Sequence, residues 1–592
     1  MKFSFPSVAS PSSSSAAAAP VPIAEPYASR PLHQTADGIR IVTIDADLDS
    51  RGRLVCHLVN ATFAQRPHYE TLSYRWGDDA LTEAIVVDGV ELRVTTNLCD
   101  ALHYFREHPR GLPIWIDAIS INQRDIPERS RQLRIMPHIY ARASATLVWL
   151  GRRYVDLPLD LSSAVAASEA EAEAEADPKD QIMSDGYWDR VWILQEIGKA
   201  RRVRVCFGRQ PAEWHTFIAW VRQHDGVDEA VGPLKLDHLR RDKYDGSCSL
   251  RRLLINHADA LAKDPRDKIY GLVGLSTDGR GFPMDYNKTL LEVWCDTIHF
   301  MSRHELLPRD CAERVQFCRL VRDLLGGEEE LGSVSGVVCF HNKSGDESYL
   351  DERNPKACDE MALSGLSFWT QVYGVIVSLG PRATELLSSL ETTDAWDEEL
   401  QRLYRGNLDS AHYENDNLMR KLLDTGGRLV SMSGLHHHRI AFQGPEMYSH
   451  YWNFMHKDRE LAPGLEAAWV HPLRRGDDDD DDEPRLAMLK MESHAWDSTP
   501  FKLAFVSPHA RQGDMICRIQ DHPMKRVVVR PAGEARSNHV LMHVCGTAVM
   551  VRDILRGTAA TGGFDEEPLE GSRKLPVVMD ARTLYALIFG NG

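Results

Sequence analysis

The residues best suited to chemistry lie in "GYWDRVWILQEIGKA", Gly186 to Ala200, where a glutamine and a glutamate stand side by side behind two tryptophans. At helical periodicity Trp188, Val191, Trp192, Gln195 and Lys199 share one stripe, and Glu196 follows Trp192 by one turn. Ile193, Leu194 and Ile197 cover much of the remaining surface, which predicts a helix buried on most sides. A carboxylate there must be paired, hydrogen-bonded or protonated, because burying it bare is costly. Glu196 is therefore either half of a structural ion pair, with Arg75, Arg124 or Arg129 as partner, or a working group in a cleft.

The other candidates are placed by the elements around them. "IRIVTI" (Ile39–Ile44) and "YETLSYRWG" (Tyr69–Gly77) are predicted strands, and "AIVVDGVELRV" is a hairpin turning at Asp88-Gly89. A helix is expected from about Asn97 to Glu107. "LPIWIDAISI" (Leu112–Ile121) has the continuous apolar character of a strand buried on both faces. Asp125 and Glu128 form a capping box with Pro127 in the first turn, opening a helix that runs to about Ala143. "ATLVWLG" and "RVRVCFG" complete the pattern as buried strands. Strands alternating with helices predict a largely parallel sheet covered on both faces, with its ligand crevice beyond the carboxyl ends of the strands. Arg75, Trp76, Asp78, Asp117, Asn122 and Gln123 all fall at or just after such ends.

Each of these residues has a structural alternative. Asp117 either hydrogen-bonds a sugar hydroxyl or caps its loop through Asn122 and Gln123. Trp76 and Trp192 either stack on a flat ring or fill the contact between helix and sheet. Gly77 suits a tight turn. His436, His437 and His438 cannot all face one ion on a regular element and have no carboxylate or cysteine at metal spacing, so no metal site is expected. Neither a P-loop nor GxGxxG is present, and Ser378 and Ser433 do not sit in nucleophile elbows.

With 592 residues, the chain is expected to hold several domains. Its 43% hydrophobic and 26% charged content is that of a soluble globular protein. A formal net charge of -17, partly due to the run Asp477–Asp482, argues against a nucleic-acid partner. Eleven isolated cysteines point to reduced thiols and a cytosolic or nuclear setting, and a cytoplasmic location is expected. No apolar run reaches the roughly 18 residues of a membrane span. The Ser/Ala/Pro-rich start is a disordered tail rather than a signal peptide.

"SEAEAEAEADPKD" is an acidic insertion without an apolar face, and "GDDDDDDE" is a solvated linker. The expected organisation is a tail (1–30), an α/β domain (31–210) with its insertion at 163–182, a mostly helical region (211–475), an acidic linker (476–490) and a small β-rich, barrel-like unit (491–592).

Three blocks stand in order: "YETLSYRWGDD", "LPIWIDAISINQRDIPERSRQLRIMPHIYARASATLVWLG" and "YWDRVWILQEIGKARRVRVCFG". Together they resemble the fungal heterokaryon-incompatibility (HET) domain over about Ile39 to Gly208. "DPRDKIYGLVGL" and "ARQGDMICRI…VVVRP" are similar to regions that follow that domain in larger members. Ser120 departs from the family, which usually has cysteine there, and this weakens any role for a thiol nucleophile. The resemblance implies a part in non-self recognition between fungal cells, ending in programmed cell death. It also implies a flavodoxin/TIR-like parallel sheet with flanking helices. "SYRWGDD" is comparable to the "SFRGED" phrase that ends a strand in TIR domains. Several of those cleave NAD with a glutamate four residues after a tryptophan, the spacing of Trp192 and Glu196.

On that resemblance Glu196 is the catalytic candidate. Its carboxylate would engage the nicotinamide ribose and stabilise cationic charge as the glycosidic bond breaks. Arg75, Trp76, Asp117, Trp192 and Gln195 are the substrate-binding candidates. NAD enters as a substrate; no cofactor is expected. The other class of function is a non-enzymatic module that acts by oligomerising or by recruiting a protein partner through the same fold. The two differ in one respect: the enzyme needs Glu196, whereas the module needs only its surface.

Overall fold

The computed structural model describes residues 26–32, 37–78, 80–155, 178–206, 211–223, 232–242, 248–327, 366–404, 419, 422, 425, 439–443, 483–491, 501–519, 526–531, 539–551 and 574–589. The tail before residue 26, most of the acidic insertion, the three histidines at 436–438 and the aspartate run at 477–482 lie outside them. The chain divides into two units. The first comprises Met1–Cys248 with the short returns Ala260–Ala262 and Gly274–Thr277; the second comprises the rest.

Unit 1 is built on a nine-stranded sheet: β1 (Gly38–Ile44), β2 (Val55–Thr62), β3 (Glu70–Tyr74), β4 (Thr82–Val87), β5 (Val90–Thr95), β6 (Ile114–Trp115), β7 (Thr146–Trp149), β8 (Val203–Val205) and β9 (Ala212–Glu213). The spatial order is β5-β4-β2-β1-β6-β3-β7-β8-β9. Its helices are α1 (Thr96–Glu107), α2 (Asp117–Ser120), α3 (Ile126–Arg142), α4 (Pro178–Met183), α5 (Val191–Lys199), α6 (Trp214–Val221) and α7 (Gly232–Asp242).

The architecture is α/β, but the sheet is mixed rather than largely parallel. β6, β3, β7 and β8 run parallel, with Leu72 opposite Leu147 and Leu147 opposite Arg204. β1–β2, β1–β6, β4–β5 and β8–β9 are antiparallel. Where the connection is short, as between β1 and β2, β4 and β5, and β8 and β9, the neighbours must be antiparallel, whereas parallel ones need a long crossover. The expected Asp88-Gly89 hairpin forms, with φ of 47° and 81° at its two turn residues. β3 at the centre is buried at every position, as a strand covered on both faces must be.

The segment expected as one strand over Leu112–Ile121 is instead a two-residue strand followed by a turn of helix. Local side-chain bonds stop the strand. The Asp117 carboxylate accepts from the Ala118 amide at 2.7 Å, and Ser120 Oγ accepts from the Ile116 amide at 3.1 Å. Helix α3 starts at the expected cap, where Asp125 accepts from the Glu128 amide at 2.9 Å. The reciprocal half of a capping box is missing because the Glu128 carboxylate is engaged elsewhere. It holds Arg40 of β1 in a two-pronged pair at 2.6 and 2.9 Å and accepts from the Asn122 amide at 2.7 Å. Arg40 is 1% exposed; it also donates to the carbonyls of Arg30 and Ser120 and lies over the Tyr27 ring.

Unit 2 opens with helices α8 (Leu250–Asn256), α9 (Asp267–Val273), α10 (Leu290–Arg303) and α11 (Cys311–Leu324). It continues with β10 (Leu366–Arg382), α12 (Ala383–Leu386), α13 (Leu390–Tyr404), β11 (Arg439–Gln443), β12 (Arg485–Met491), β13 (Phe501–Val506), β14 (Met515–Ile519), β15 (Arg526–Pro531), β16 (His539–Met550), β17 (Lys574–Met579) and α14 (Ala581–Phe589). The β-rich part is an antiparallel sheet in the order β11-β17-β10-β12-β13-β16-β15-β14, and the extra pairing of β10 with β14 closes it on itself. Ile376, Leu489, Val506, Ile516, Val528 and Met550 pack together inside. Two of its strands, β10 and β11, come from the stretch expected to be mostly helical (211–475). β10 lacks clean alternation because much of it is buried on both faces, so its apolar run has no period-two signature.

The Arg40–Glu128 pair should dominate the stability of unit 1. Glu128→Ala leaves a buried guanidinium uncompensated and should cost about 3–5 kcal/mol, whereas the double change Arg40→Met, Glu128→Leu should recover most of that loss. Urea unfolding of the three proteins measures both.

Candidate functional site

Three parallel strands end on one edge. β3 runs out into Arg75, Trp76 and Gly77, β6 into Asp117, and β7 into Gly151. Asn97, at the start of α1, ties two of these ends together: its Nδ2 donates to the Arg75 carbonyl at 2.5 Å, and its Oδ1 accepts from Trp149 Nε1 at 3.1 Å. Gly77 and Gly151 have φ of 84° and 125° and pass against Asn97, a path that a side chain at either position would strain.

Glu196 lies behind this edge on α5 and is 4% exposed. It accepts a hydrogen bond from Ser73 Oγ of β3, and the same hydroxyl lies 2.5 Å from Tyr187 Oη. Ser73 and Tyr187 are both fully buried. Among the described residues, no arginine or lysine makes a salt bridge to Glu196; the expected ion pair with Arg75, Arg124 or Arg129 is not formed. Arg75 instead faces Asp185 at 3.9 Å. Burial raises the Glu196 carboxyl to a pKa of about 7, against the opposing pull of the Arg190 guanidinium and the Ser73 hydrogen bond.

Arg190 is the cation of the cluster. It donates to the Tyr74 carbonyl, and its charge favours the ionised forms of both Glu196 and Asp117. Asp117 accepts from Trp76 Nε1 at 2.8 Å and from the Ala118 amide. Its carboxyl is raised above the ordinary range, chiefly by burial. Gln123 donates to the Asp117 backbone carbonyl at 3.0 Å, and Asn122 accepts from the Arg124 amide at 3.1 Å, so neither engages the Asp117 carboxylate.

The structure thus gathers Arg75, Trp76, Asp117 and Glu196 along one edge. Trp192 and Gln195 have other surroundings. Trp192 is partly buried against a core of Ile39, Tyr69, Trp115, Ile121 and Tyr140. Gln195 is 1% exposed, and a Cβ added at Gly274 would overlap its Oε1 and press on Pro137. Trp76 is partly buried against the core on the other side of the sheet.

Sequence reasoning did not single out Ser73, Asp185, Tyr187, Arg190 or Asn97. Two signals were available. Ser73 is a hydroxyl inside an otherwise apolar buried strand, which must find a partner. Tyr187 and Arg190 lie just upstream of Glu196 in the same "GYWDRVWILQE" phrase.

Chemically, the arrangement is a carboxyl that exchanges its proton near neutrality, a second raised carboxyl and one guanidinium, with two hydroxyls in series behind them. Such a set serves proton transfer or the stabilisation of developing positive charge. Among the described residues, no group of three His, Cys, Asp or Glu side chains could hold a metal ion, and no helix is long and apolar enough to cross a membrane.

Residues 69–196 match the family model described as heterokaryon incompatibility protein (HET). The chain is also 38% identical over 138 residues to heterokaryon incompatibility protein 6, OR allele, of Neurospora crassa. That match covers 21% of this chain and 20% of the relative, so the shared part is about a fifth of each protein. No solved structure matches the chain. The three blocks therefore mark a HET domain, and its matched span contains Ser73, Arg75, Trp76, Asp117, Asp185, Tyr187, Arg190 and Glu196.

The raised Glu196 carboxyl sets a pH dependence of stability. Its folded pKa of about 7 exceeds the 4.5 of a solvated glutamate, so its contribution is fully present below pH 4.5 and is lost as the pH rises through 7. At about 1.4 kcal/mol per unit, the full span is about 3 kcal/mol. Glu196→Gln removes the ionisation and keeps an acceptor for Ser73. The variant should melt as the wild type does near pH 4.5 and no lower than it at pH 8. A variant that melts well below the wild type at pH 8 would instead indicate an ionised, paired Glu196.

Proposed function

We propose that this chain acts in fungal heterokaryon incompatibility as an effector of non-self recognition and programmed cell death, and that unit 1 does so by TIR-like cleavage of NAD with Glu196 as its carboxylate. Support for the role comes from the matched segment and from the name of the Neurospora crassa relative. The observation that carries the chemistry is Glu196 itself: a carboxyl near the carboxyl ends of parallel strands, held near neutrality, with no ion pair among the described residues to explain it as a lock between helix and sheet. A carboxylate so placed can stabilise an oxocarbenium-like centre as the nicotinamide leaves, and a site with little water strengthens that interaction. Arg190 and Asp117 set its charge state, and Ser73 and Tyr187 orient it.

A second reading has one observation in its favour. Glu196 is only 4% exposed and already satisfied by Ser73, as a structural acid would be. On that reading the domain works through partners or through further copies of the chain, and cell death needs its surface rather than its carboxylate.

Consumption of NAD by the full chain and toxicity in a fungal host separate the two. Glu196→Gln should stay folded while losing both activities by at least about a hundredfold in turnover. A folded variant that kills at the wild-type level sinks the enzymatic reading and leaves the second.

A further inference from the structure

We infer that Arg75 and Arg153, held as a pair by the buried carboxylate of Asp185, form a binding site for the diphosphate of a nucleotide at the carboxyl edge of the sheet in unit 1. This names the substrate class of that edge and rests on the reading of Glu196 given above.

Asp185 has a side chain only 1% exposed and more donors than a single carboxylate needs. Its Oδ1 accepts from the Tyr187 amide at 2.8 Å, and its Oδ2 accepts from Tyr154 Oη at 2.9 Å and from Arg153. Arg75 adds only a contact at 3.9 Å, beyond hydrogen-bonding distance. The side chains of Arg75 and Arg153 are 49% and 59% exposed, so their remaining N–H groups face solvent.

The contrast with Glu70, another buried carboxylate of the same sheet, is informative. Glu70 is paired with Arg110 at 2.7 Å and Arg204 at 3.4 Å, and those side chains are 16% and 22% exposed. There the guanidinium groups close over the acid as a structural pair does. At Asp185 one arginine is enough for compensation, and the second is oriented without being used up.

The surroundings suit an anion with two charged groups. Arg75 follows the end of β3 and Arg153 follows the end of β7, strands that lie side by side in parallel. Both guanidinium groups lie within 4 Å of one carboxylate, so they are close enough to grip neighbouring phosphates, and the planar fork of arginine matches phosphate oxygens. Arg152 adds a further exposed cation, 3.8 Å from Asp100. Gly186 packs beside the guanidinium: a Cβ there would be in van der Waals contact with Arg75 Nη1, at 3.7 Å. Asn97 fixes the Arg75 backbone through its carbonyl.

The test is equilibrium binding of ADP to the full chain, with inorganic pyrophosphate as competitor and anionic phospholipid vesicles as a separate arm. Arg75→Gln is the primary variant: it removes only the long contact, so the fold stays intact, and ADP affinity should fall at least about tenfold. Arg153→Lys keeps a charge for Asp185 but loses the fork, and it should also weaken ADP binding. Displacement of ADP by pyrophosphate supports the site. Unchanged ADP affinity in both variants overturns it, as does binding to vesicles with none to ADP. Failure here is distinct from failure of the Glu196 reading. If NAD is not consumed but ADP binding depends on Arg75, the anion site stands alone. If Glu196→Gln abolishes turnover while both arginine variants leave ADP affinity unchanged, the site falls and the catalytic reading stands.

Discussion

The fold of unit 1 depends on one buried pair, Arg40 with Glu128. A guanidinium that is 1% exposed has no water to solvate it, so every donor must find an acceptor inside the protein. Two go to Glu128, one to the Ser120 carbonyl and one to the Arg30 carbonyl. A single side chain on β1 thereby fixes the start of α3, the end of α2 and the segment before the first strand. The same Glu128 carboxylate accepts from the Asn122 amide and shapes the loop that leaves Asp117. The position of Asp117 beside Trp76 is thus set by an ion pair that does no chemistry itself.

Several buried acids of unit 1 are met by arginine in this way. Glu128 has Arg40, Glu70 has Arg110 and Arg204, and Asp185 has Arg153 and, more loosely, Arg75. Glu196 has a serine hydroxyl and a guanidinium acting from beyond salt-bridge range. Because these acids are compensated, the lack of a salt bridge at Glu196 among the described residues sets it apart from them. A cation beside a carboxylate favours its ionised form and burial favours the neutral one, and at Glu196 the balance lies near neutral pH. Poise comes at a cost in stability, and sites that bear such a cost are disproportionately functional ones.

Much of this was legible in the sequence where a residue type has one physical use. Asp88-Gly89 had to turn, Asp125 had to cap α3, and the apolar shell around Glu196 had to leave it paired, hydrogen-bonded or protonated. What was not legible depended on partners distant in sequence. Nothing near Glu128 announces Arg40, so the capping-box pattern was seen while its diversion to β1 was not. The run Leu112–Ile121 reads as a strand because its period cannot show that Asp117 and Ser120 bond to neighbouring amides and end it early. Trp192 and Gln195 share a stripe on α5, and the sequence could not tell which side of that helix faces the strand ends. Their neighbours, Trp115 and Gly274, come from far away along the chain. β10 was hidden in a stretch expected to be mostly helical because burial on both faces erases the alternation by which a strand is recognised.

The helix that carries Glu196 also shows where the working unit ends. The family match stops at Glu196, yet α5 is braced by chain well beyond it. Its first amide, Val191, donates to the Leu261 carbonyl at 2.9 Å, and the Leu261 amide donates back to Asp189. Gly274 accommodates Gln195, and Leu275 lies against Gly198 closely enough that a methyl group there would collide. These returns, Ala260–Ala262 and Gly274–Thr277, belong to unit 1 by their contacts although they lie outside the matched span. The "DPRDKIYGLVGL" phrase therefore has a physical reason to follow the domain. Its last residues supply a glycine where the buried face of α5 leaves no room for a side chain, and Leu261 just upstream supplies a carbonyl where a helix start needs an acceptor. A segment cut at residue 210 would leave Val191 without that acceptor and Gln195 without its cover. The carboxylate that distinguishes the site would then sit on a helix that keeps its contacts with β3 and α3 but has lost its bracing from the returning segments.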